Sequence, residues 1–273
     1  MDLDRFGWPS GQPLDVRELP TVIKHAHLAS LQDSIGRLKE YQRRLYANRQ
    51  YGVLLVVQGL DAAGKDSLIR TLASGMDPAA FRAHSFSRPI GDELYHDFLW
   101  RAWKHLPERG QVVAFNRSHY EAVLAERLWP VNPGPETPHW NGRYQAIREF
   151  EQHLHREGVR ILKVWLNTSA DEQRQRLLRR LDMPRKRWKF DRADIDGWLA
   201  RDAYLALVNE TLTATHTDFA PWHIIANDKK SGARRQVASL LADLLASLAP
   251  SYPDEDNLCI ERYRALLSKG GGG

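Results

Sequence analysis

Val53-Leu-Leu-Val-Val57-Gln-Gly59-Leu-Asp61-Ala-Ala-Gly64-Lys65-Asp66 is the stretch that decides the fold. Residues 53–57 form a continuous β-branched and leucine run, which suits a strand buried on both faces of a parallel sheet. The eight residues from Gly59 follow the phosphate-loop spacing G-x-x-x-x-G-K-[ST] up to its last position. There a carboxylate, Asp66, stands where a hydroxyl commonly helps to hold Mg²⁺. A second carboxylate, Asp61, lies inside the loop.

Gly59 and Gly64 let the backbone curl so that the N–H groups around Ala62 and Ala63 turn inward, and the helix that follows adds its positive end. Lys65 brings a full charge to a bridging phosphate, and as a loop lysine it is expected to be exposed. Asp66 has a plain alternative reading as a first-turn residue that complements the helix dipole. Asp61 has one as a turn former. The chemical reading is that the carboxylates orient an attacking phosphate or ligate Mg²⁺, a hard cation that takes carboxylate and substrate oxygens, so that the metal draws phosphate in.

The next strand, 112–115, runs into Asn116-Arg117-Ser118-His119-Tyr120-Glu121. Many phosphate-loop enzymes place an acid at this strand end. Asn116 offers only a carbonyl to a metal or its water. Arg117 projects from the same edge and is expected to fork onto a phosphate. Ser118 and Glu121 have capping-box spacing, and His119 reads as packing before it reads as a base.

The 273 residues suffice for one large α/β domain or two small ones. A single cysteine excludes a disulfide framework and fits a reducing compartment, so cytoplasm is the expected location. No run approaches the roughly 18 apolar residues of a membrane span, and the first ten residues are unlike a signal peptide. Net charge is +5, yet residues 174–192 alone carry nine basic and two acidic side chains, +7, which leaves about −2 for the rest. The basicity is one patch, which points to a polyanion or phosphate cluster at one place. Arg176, Arg179 and Arg180 share one side of a helix. Pro184 breaks it, and Arg185, Lys186, Arg187 and Lys189 crowd around Trp188. A mobile anion-gripping lid fits better than a solvated helix face or a nucleic-acid site.

Working outward, residues 1–26 read as an irregular arm, 27–250 as the main domain with its lid at about 174–196, and 251–273 as a tail ending in Gly270–Gly273. Spacing predicts helices over 27–48, 65–74, 92–106, around Tyr144–Leu154, from Ser169 (capping box with Glu172), over 196–213 and over 231–248. It predicts further strands at 82–87, 159–166 and 223–226, and a loop at 132–138. Alternating strands and helices give an α/β fold: a parallel sheet with helices on both faces. The loops at 59–66, 116–121 and 167–169 are expected to meet at one sheet edge. Tryptophans such as Trp8, Trp129 and Trp140 read as core, arm packing or subunit contacts.

The segments GLDAAGKD (59–66), SFSRPIGDELYHDFLWR (85–101), FNRSHYEAVL (115–124), RLDMPRKRWKF (180–190) and APWHIIANDKK (220–230) together resemble the polyphosphate kinase 2 family, in order over roughly residues 30–248. FNRSHYE is similar to the class III subgroup. The resemblance implies a P-loop kinase fold with a helical lid and Mg²⁺-dependent, reversible transfer of the terminal phosphate of inorganic polyphosphate to AMP or ADP. It implies catalytic roles for Asp61, Lys65, Asp66, Asn116 and Arg117, and metal contacts from Asp61, Asp66 and Asn116. Polyphosphate contacts are implied for Gly59, Ala62, Ala63, Gly64, Arg88, Arg176, Arg179, Arg180, Lys186, Arg187 and Lys189, and nucleotide contacts for Arg117 and Glu121. Adenine nucleotides (AMP, ADP, ATP), with guanine nucleotides as a further option, are the expected partners, in a homodimer or homotetramer, with no nucleic acid and no membrane. Departures stand at Ser67, where glycine is frequent, at Arg88, where lysine is usual, and at Ala122, where an acid is common. The competing readings are an ATP-dependent nucleoside monophosphate kinase similar to thymidylate kinase, against which Asp66 argues, and a non-catalytic polyanion binder.

Overall fold

The computed structural model describes residues 14–23, 28–131, 139–254 and 257–269. In chain order the elements are α1 (Leu31–Asn48), β1 (Gly52–Gly59), α2 (Lys65–Ala73), β2 (Phe81–Ser85), α3 (Trp100–Trp103), β3 (Val112–Asn116), α4 (Ala125–Leu128) and α5 (Trp140–Arg156). Then follow β4 (Val159–Asn167), α6 (Ala170–Asp182), α7 (Arg192–Leu199), α8 (Arg201–Thr215), β5 (Trp222–Ala226), α9 (Lys230–Ser247) and α10 (Asn257–Lys269). The five strands form one parallel sheet in the order β2-β3-β1-β4-β5.

β1 lies at the centre and all eight of its residues are buried. Because side chains alternate along a strand, one continuous apolar run feeds two cores. Leu54 and Val56 pack with Tyr144 and Ile147 of α5 and with Leu205 and Val208 of α8. Val53, Leu55 and Val57 pack with Leu38 and Leu45 of α1, Leu72 of α2, and Val237 and Leu241 of α9. Two layers of helices thus clamp the sheet and hold the C-terminal ends of β1, β3 and β4 side by side.

Most predicted elements lie where the spacing places them. The long helix starts at Leu31, with Ser30 accepting from Asp33 N–H at 3.0 Å; residues 24–27, the loop at 132–138 and Gly270–Gly273 lie outside the described residues. Three elements differ. The helix expected over 92–106 reduces to a 3₁₀ turn at Gly91–Leu94 and the four residues of α3. Asp97 interrupts it by accepting the Leu99 N–H at 2.8 Å, a local bond that competes with helical pairing. The helix expected over 196–213 is two, α7 and α8, which break at Ala200. The tail carries a helix, α10, that its composition did not suggest.

The described part of the arm, residues 14–23, is irregular but anchored. Val16 is buried, and Asn167 Nδ2 at the end of β4 donates to the carbonyls of Val16 (2.9 Å) and Leu19 (3.1 Å). The loop after β4 is therefore covered by the arm, while the loops after β1 and β3 stay open.

Candidate active site

The loop after β1 is shaped by two left-handed residues, Ala62 (φ 65°) and Gly64 (φ 102°), the second of which begins α2. Gly59 sits so close to β4 that a Cβ there would meet Leu166 Cβ at 3.0 Å. Lys65 is buried, contrary to the expectation of an exposed loop lysine. Its Nζ donates to the carbonyls of Gly59 (2.7 Å) and Leu60 (3.1 Å), which draws the ammonium back under the loop. Burial, aided by the nearby Arg117 charge, lowers its pKa to about 8.

At the end of β3 the chain turns through Arg117, which has a positive φ of 60° that a side chain rarely adopts. The turn aims Arg117 back across the loop, where its guanidinium donates to Asp61 Oδ1 and, at 3.0 Å, to Glu121 Oε2. Glu121 and Asp61 outweigh burial and keep this guanidinium charged at every pH. Glu121 is thus a partner of Arg117; only Ser118 caps the following 3₁₀ turn, its hydroxyl accepting the Tyr120 N–H at 3.1 Å. The turn is pinned from below by a buried network. Lys163 Nζ donates to Glu151 (2.6 Å), to the Tyr120 hydroxyl (3.0 Å) and to the Thr215 carbonyl (2.8 Å). His119 is buried beside Glu151 at 3.6 Å, and burial lowers its pKa, as expected of a packing residue.

Asn116 Nδ2 donates to Asp66 Oδ1 at 2.6 Å, and Lys189 Nζ of the lid reaches Asp66 Oδ2 at 3.3 Å. Against desolvation, which would raise it, these bonds hold the Asp66 carboxyl below its ordinary value. The Asn116 side-chain oxygen, Oδ1, is left buried with no hydrogen-bond partner. Asp61, Asp66 and Asn116 all line the central cavity. Among the described residues no group of three or more His, Cys, Asp or Glu forms a self-contained metal cage. One or two carboxylates completed by phosphate and water oxygens is the arrangement Mg²⁺ prefers, so the donor set fits that ion.

The lid runs from the end of α6 through a 3₁₀ turn at Pro184–Lys189 into α7. Asp194 of α7 accepts Arg180 Nη1 through both oxygens, at 3.0 and 2.8 Å. Gly197 brings the α7 backbone against the loop: a Cβ at that position would stand 2.9 Å from Asp61 Oδ2.

Three adjoining cavities follow. The central one, about 390 Å³, is lined by Asp61, Lys65, Asp66, Asn116 and Arg117. On one side it shares Ala62, Gly64, Asp66, Arg180 and Lys189 with a cavity of about 300 Å³ that adds Arg70, Arg179, Lys186 and Lys230. On the other it shares Asp61, Phe86, Arg117 and Ala193 with a cavity of about 470 Å³ walled by Pro89, Ala125, Trp129 and Val131. A cationic track, a carboxylate-bearing centre and an apolar chamber lie in line.

Arg176 also lines the cationic cavity, but it is buried and its guanidinium donates to the carbonyls of Ala63 (2.6 Å) and Asn227 (2.5 Å) and to Glu172 (2.8 Å), which makes it a brace behind the loop as well. Several other residues expected on the polyphosphate track stand elsewhere. The Ala63 N–H closes a turn onto the Leu60 carbonyl at 3.1 Å, so it does not point inward. Gly59 shapes the turn and lines neither the centre nor the track. Arg88 lies in the apolar chamber, donating to the Pro130 carbonyl at 3.2 Å. Arg187 lines none of the three cavities; its Nε donates to the Leu181 carbonyl at 2.8 Å. Conversely, Lys230 at the start of α9 was overlooked, although it stands in the matched segment 220–230. Burial, with Arg176 and Lys186 nearby, lowers its pKa to about 8. Phe86 carries no sequence signal of its own, and Trp129, read as core, arm packing or a subunit contact, instead lines the chamber, because only the folded chain brings the two together.

A parallel α/β sheet whose central strand delivers a phosphate loop, closed by a helical lid bearing arginines, is a P-loop kinase. The Polyphosphate kinase 2 (PPK2) family model matches residues 22–252, and the chain belongs to that family. It is 40% identical over 266 residues to the ADP-polyphosphate phosphotransferase of Rhodopseudomonas palustris, covering 92% of each chain. It is 42% identical over 233 residues to the AMP/ADP-polyphosphate phosphotransferase of Meiothermus ruber, covering 85% of this chain and 86% of that one. The crystal structure of polyphosphate kinase 2 from Arthrobacter aurescens superposes with a TM-score of 0.88 at 34% identity, over 97% of this chain and 95% of the other.

Proposed function

We propose that this enzyme transfers the terminal phosphate of inorganic polyphosphate to ADP and AMP, reversibly and with Mg²⁺. The observation that carries the reading is the line of three cavities, with unlike ends on either side of a centre lined by Asp61, Lys65, Asp66 and Arg117. A phosphate chain has no base or sugar, so a track of cations serves it. A nucleotide needs an apolar chamber opening onto charge.

Phosphoryl transfer asks the protein mainly to align two phosphate groups and to neutralise a loose, highly charged transition state. Lys65, fixed under the loop, and the loop N–H groups at the head of α2 hold the donor's last phosphates. Arg179, Arg180, Lys186, Lys189 and Lys230 take those behind. Arg117, oriented by Asp61 and Glu121, meets the acceptor phosphate from the other side. Asp61, Asp66 and the side-chain oxygen of Asn116 would hold Mg²⁺, which when bound lowers the repulsion between donor and acceptor phosphates. Lys189 reaches Asp66 from the lid, so closing the lid brings cation and carboxylate together around the transferring group.

Incubation with Mg²⁺, AMP or ADP, and either polyphosphate or ATP as donor, followed by separation of the nucleotides, tests this. Polyphosphate-dependent formation of ADP and ATP is expected. Turnover of AMP with ATP alone would return the chain to the nucleoside monophosphate kinases, and no turnover with either donor to polyanion binding.

A further inference from the structure

Between Ile161 and Leu166, strand β4 is apolar at every position but one. The exception, Lys163, is fully buried, and Glu151 of α5, equally buried, accepts from its Nζ at 2.6 Å. Stability does not account for such a pair. Taking two charges out of water costs about as much as their attraction returns, and apolar residues of similar volume commonly fill the same space as well or better. Neither Glu151 nor Lys163 lines any of the three cavities, so neither meets a substrate.

What the pair holds is the Tyr120 hydroxyl. That hydroxyl donates to Glu151 Oε1 at 2.7 Å and accepts from Lys163 Nζ at 3.0 Å, and Lys163 also donates to the Thr215 carbonyl at 2.8 Å. A hydroxyl that gives one bond and receives another is fixed both in position and in rotation, which an apolar pair cannot do. Tyr120 follows closely on Arg117, the residue with the left-handed φ of 60°. On the near side the Arg117 N–H donates to the Val57 carbonyl at 3.0 Å, which ties the turn to β1. Between the two, the buried Ser118 hydroxyl accepts from Gln58 Nε2 at 3.0 Å and from the Tyr120 N–H at 3.1 Å. The turn is therefore held at both ends. Backbone strain of this kind persists only where the surroundings over-determine it. Releasing Tyr120 frees the far end, and relaxation of Arg117 toward negative φ turns its guanidinium away from Asp61 and Glu121.

We propose that Glu151 and Lys163 are positioning residues for phosphoryl transfer: by fixing Tyr120 they hold the strained turn that aims Arg117, and they act on turnover through Arg117 alone. This rests on the reading above in which Arg117 meets the acceptor phosphate.

The test replaces the pair by apolar residues, Glu151→Leu with Lys163→Met, and sets this double variant beside Tyr120→Phe, Arg117→Gln and the combination of the pair with Arg117→Gln. Melting temperature, kcat and KM for ADP and for polyphosphate are measured, with the kinetics read well below each melting temperature. The apolar pair should melt at or above the wild-type temperature. Its kcat should nevertheless fall roughly tenfold to a hundredfold, the scale of a misplacement of about 1 Å. KM for polyphosphate should keep its wild-type value, because the cationic track is untouched. Tyr120→Phe, which keeps the ring and the pair and removes only the hydroxyl, should lower kcat in the same direction. In the Arg117→Gln background the apolar pair should change kcat by less than about twofold, because the group it positions is already gone. Wild-type kcat in the folded double variant, an equal rise in KM for polyphosphate, or a loss that multiplies with that of Arg117→Gln overturns the proposal. If the double variant does not fold, Tyr120→Phe, alone and with Arg117→Gln, carries the same criteria. Crystal structures of the wild type and the variant without substrates separate the two readings. No polyphosphate turnover in the wild type, with an Arg117 turn that relaxes when the pair is replaced, would sink the kinase assignment alone. Normal turnover with an unmoved turn would sink the positioning role alone.

Discussion

The two ends of the site solve different recognition problems. On the side proposed for the donor, Arg70, Arg179, Lys186 and Lys230 line a cationic trough that no aromatic side chain walls. On the acceptor side Phe86, Pro89, Trp129 and Val131 form a chamber whose charges sit at one end. A repeating polyanion can slide and still find the same field, so charge without shape suffices. A nucleotide must present one phosphate in one place, which calls for shape. Asp61 and Arg117 are shared by the central cavity and the chamber, and strained backbone at Arg117 is what turns that side chain to face the loop.

Replacing Lys65 should break both ends at once. Lys65→Ala should cut turnover by roughly 10²–10³, the usual loss when a preorganised charge-stabilising group is removed. Because Lys65 is buried and bonded to two loop carbonyls, the melting temperature should fall as well, consistent with about 1–3 kcal/mol for leaving those acceptors unsatisfied. Calorimetry beside a turnover assay checks both; near wild-type turnover would remove Lys65 from the transfer step.

Arg176 and Arg179 sharpen the contrast between bracing and gripping. Arg176→Met strips donors from the Ala63 and Asn227 carbonyls and should destabilise the fold by roughly 3 kcal/mol, as expected for breaking a buried charged network. Arg179→Gln should leave the melting temperature within a degree or two, since a solvated charge contributes about 0–1 kcal/mol. Equal thermal shifts in the two variants would refute the division.

The donor side should also be the pH-sensitive side. Lys65 and Lys230 both have pKa values lowered to about 8, chiefly by burial. Phosphate prefers their protonated forms, which are present below that value and lost above it. Apparent affinity for polyphosphate should therefore be flat below about pH 7.5 and fall as pH rises through 8, by at most tenfold per unit for each lysine. The KM for the nucleotide should rise less than that for polyphosphate over pH 7–9.5, because Arg117 stays charged throughout. Parallel loss for both substrates would place these lysines off the track.

The smallest effect distinguishes two lid arginines that look equivalent in sequence. Arg179→Gln should flatten the log–log dependence of polyphosphate affinity on salt by roughly 0.7–0.9, by analogy with phosphate contacts in nucleic acids. Arg187→Gln should leave the slope unchanged, because Arg187 lines none of the three cavities. A matching change in both would mean that the lid closes further around the polyanion than this arrangement holds it.

Much of the centre was legible because local spacing dictates it. The run 53–57 followed by Gly59 and Gly64 fixes a buried strand, a turn and a helix start within fourteen residues, and so also where Asp61, Lys65 and Asp66 stand. Asn116 and Arg117 were legible as the end of the neighbouring strand. The basic segment was legible as charge, but its roles were not. Arg176, Arg179 and Arg180 are three and four residues apart on one helix and line the same cavity, yet one is buried and braces the loop, one is exposed, and one divides itself between the track and Asp194. Helical spacing places side chains on a side; what lies opposite that side comes from elsewhere in the chain.

The sequence alone determined the parallel α/β architecture, the phosphate loop and the location of the positive charge, because strand burial, glycine turns and charge density are properties of short contiguous stretches. Only the tertiary structure decided which cations reach the phosphate track, that Lys65 is buried, that Arg88 stands with the acceptor, and that Phe86, Trp129 and Val131 close one chamber. Those outcomes depend on which strand ends become neighbours and on which carbonyls a guanidinium finds there, and such contacts join residues more than a hundred positions apart, as Arg176 and Ala63 do.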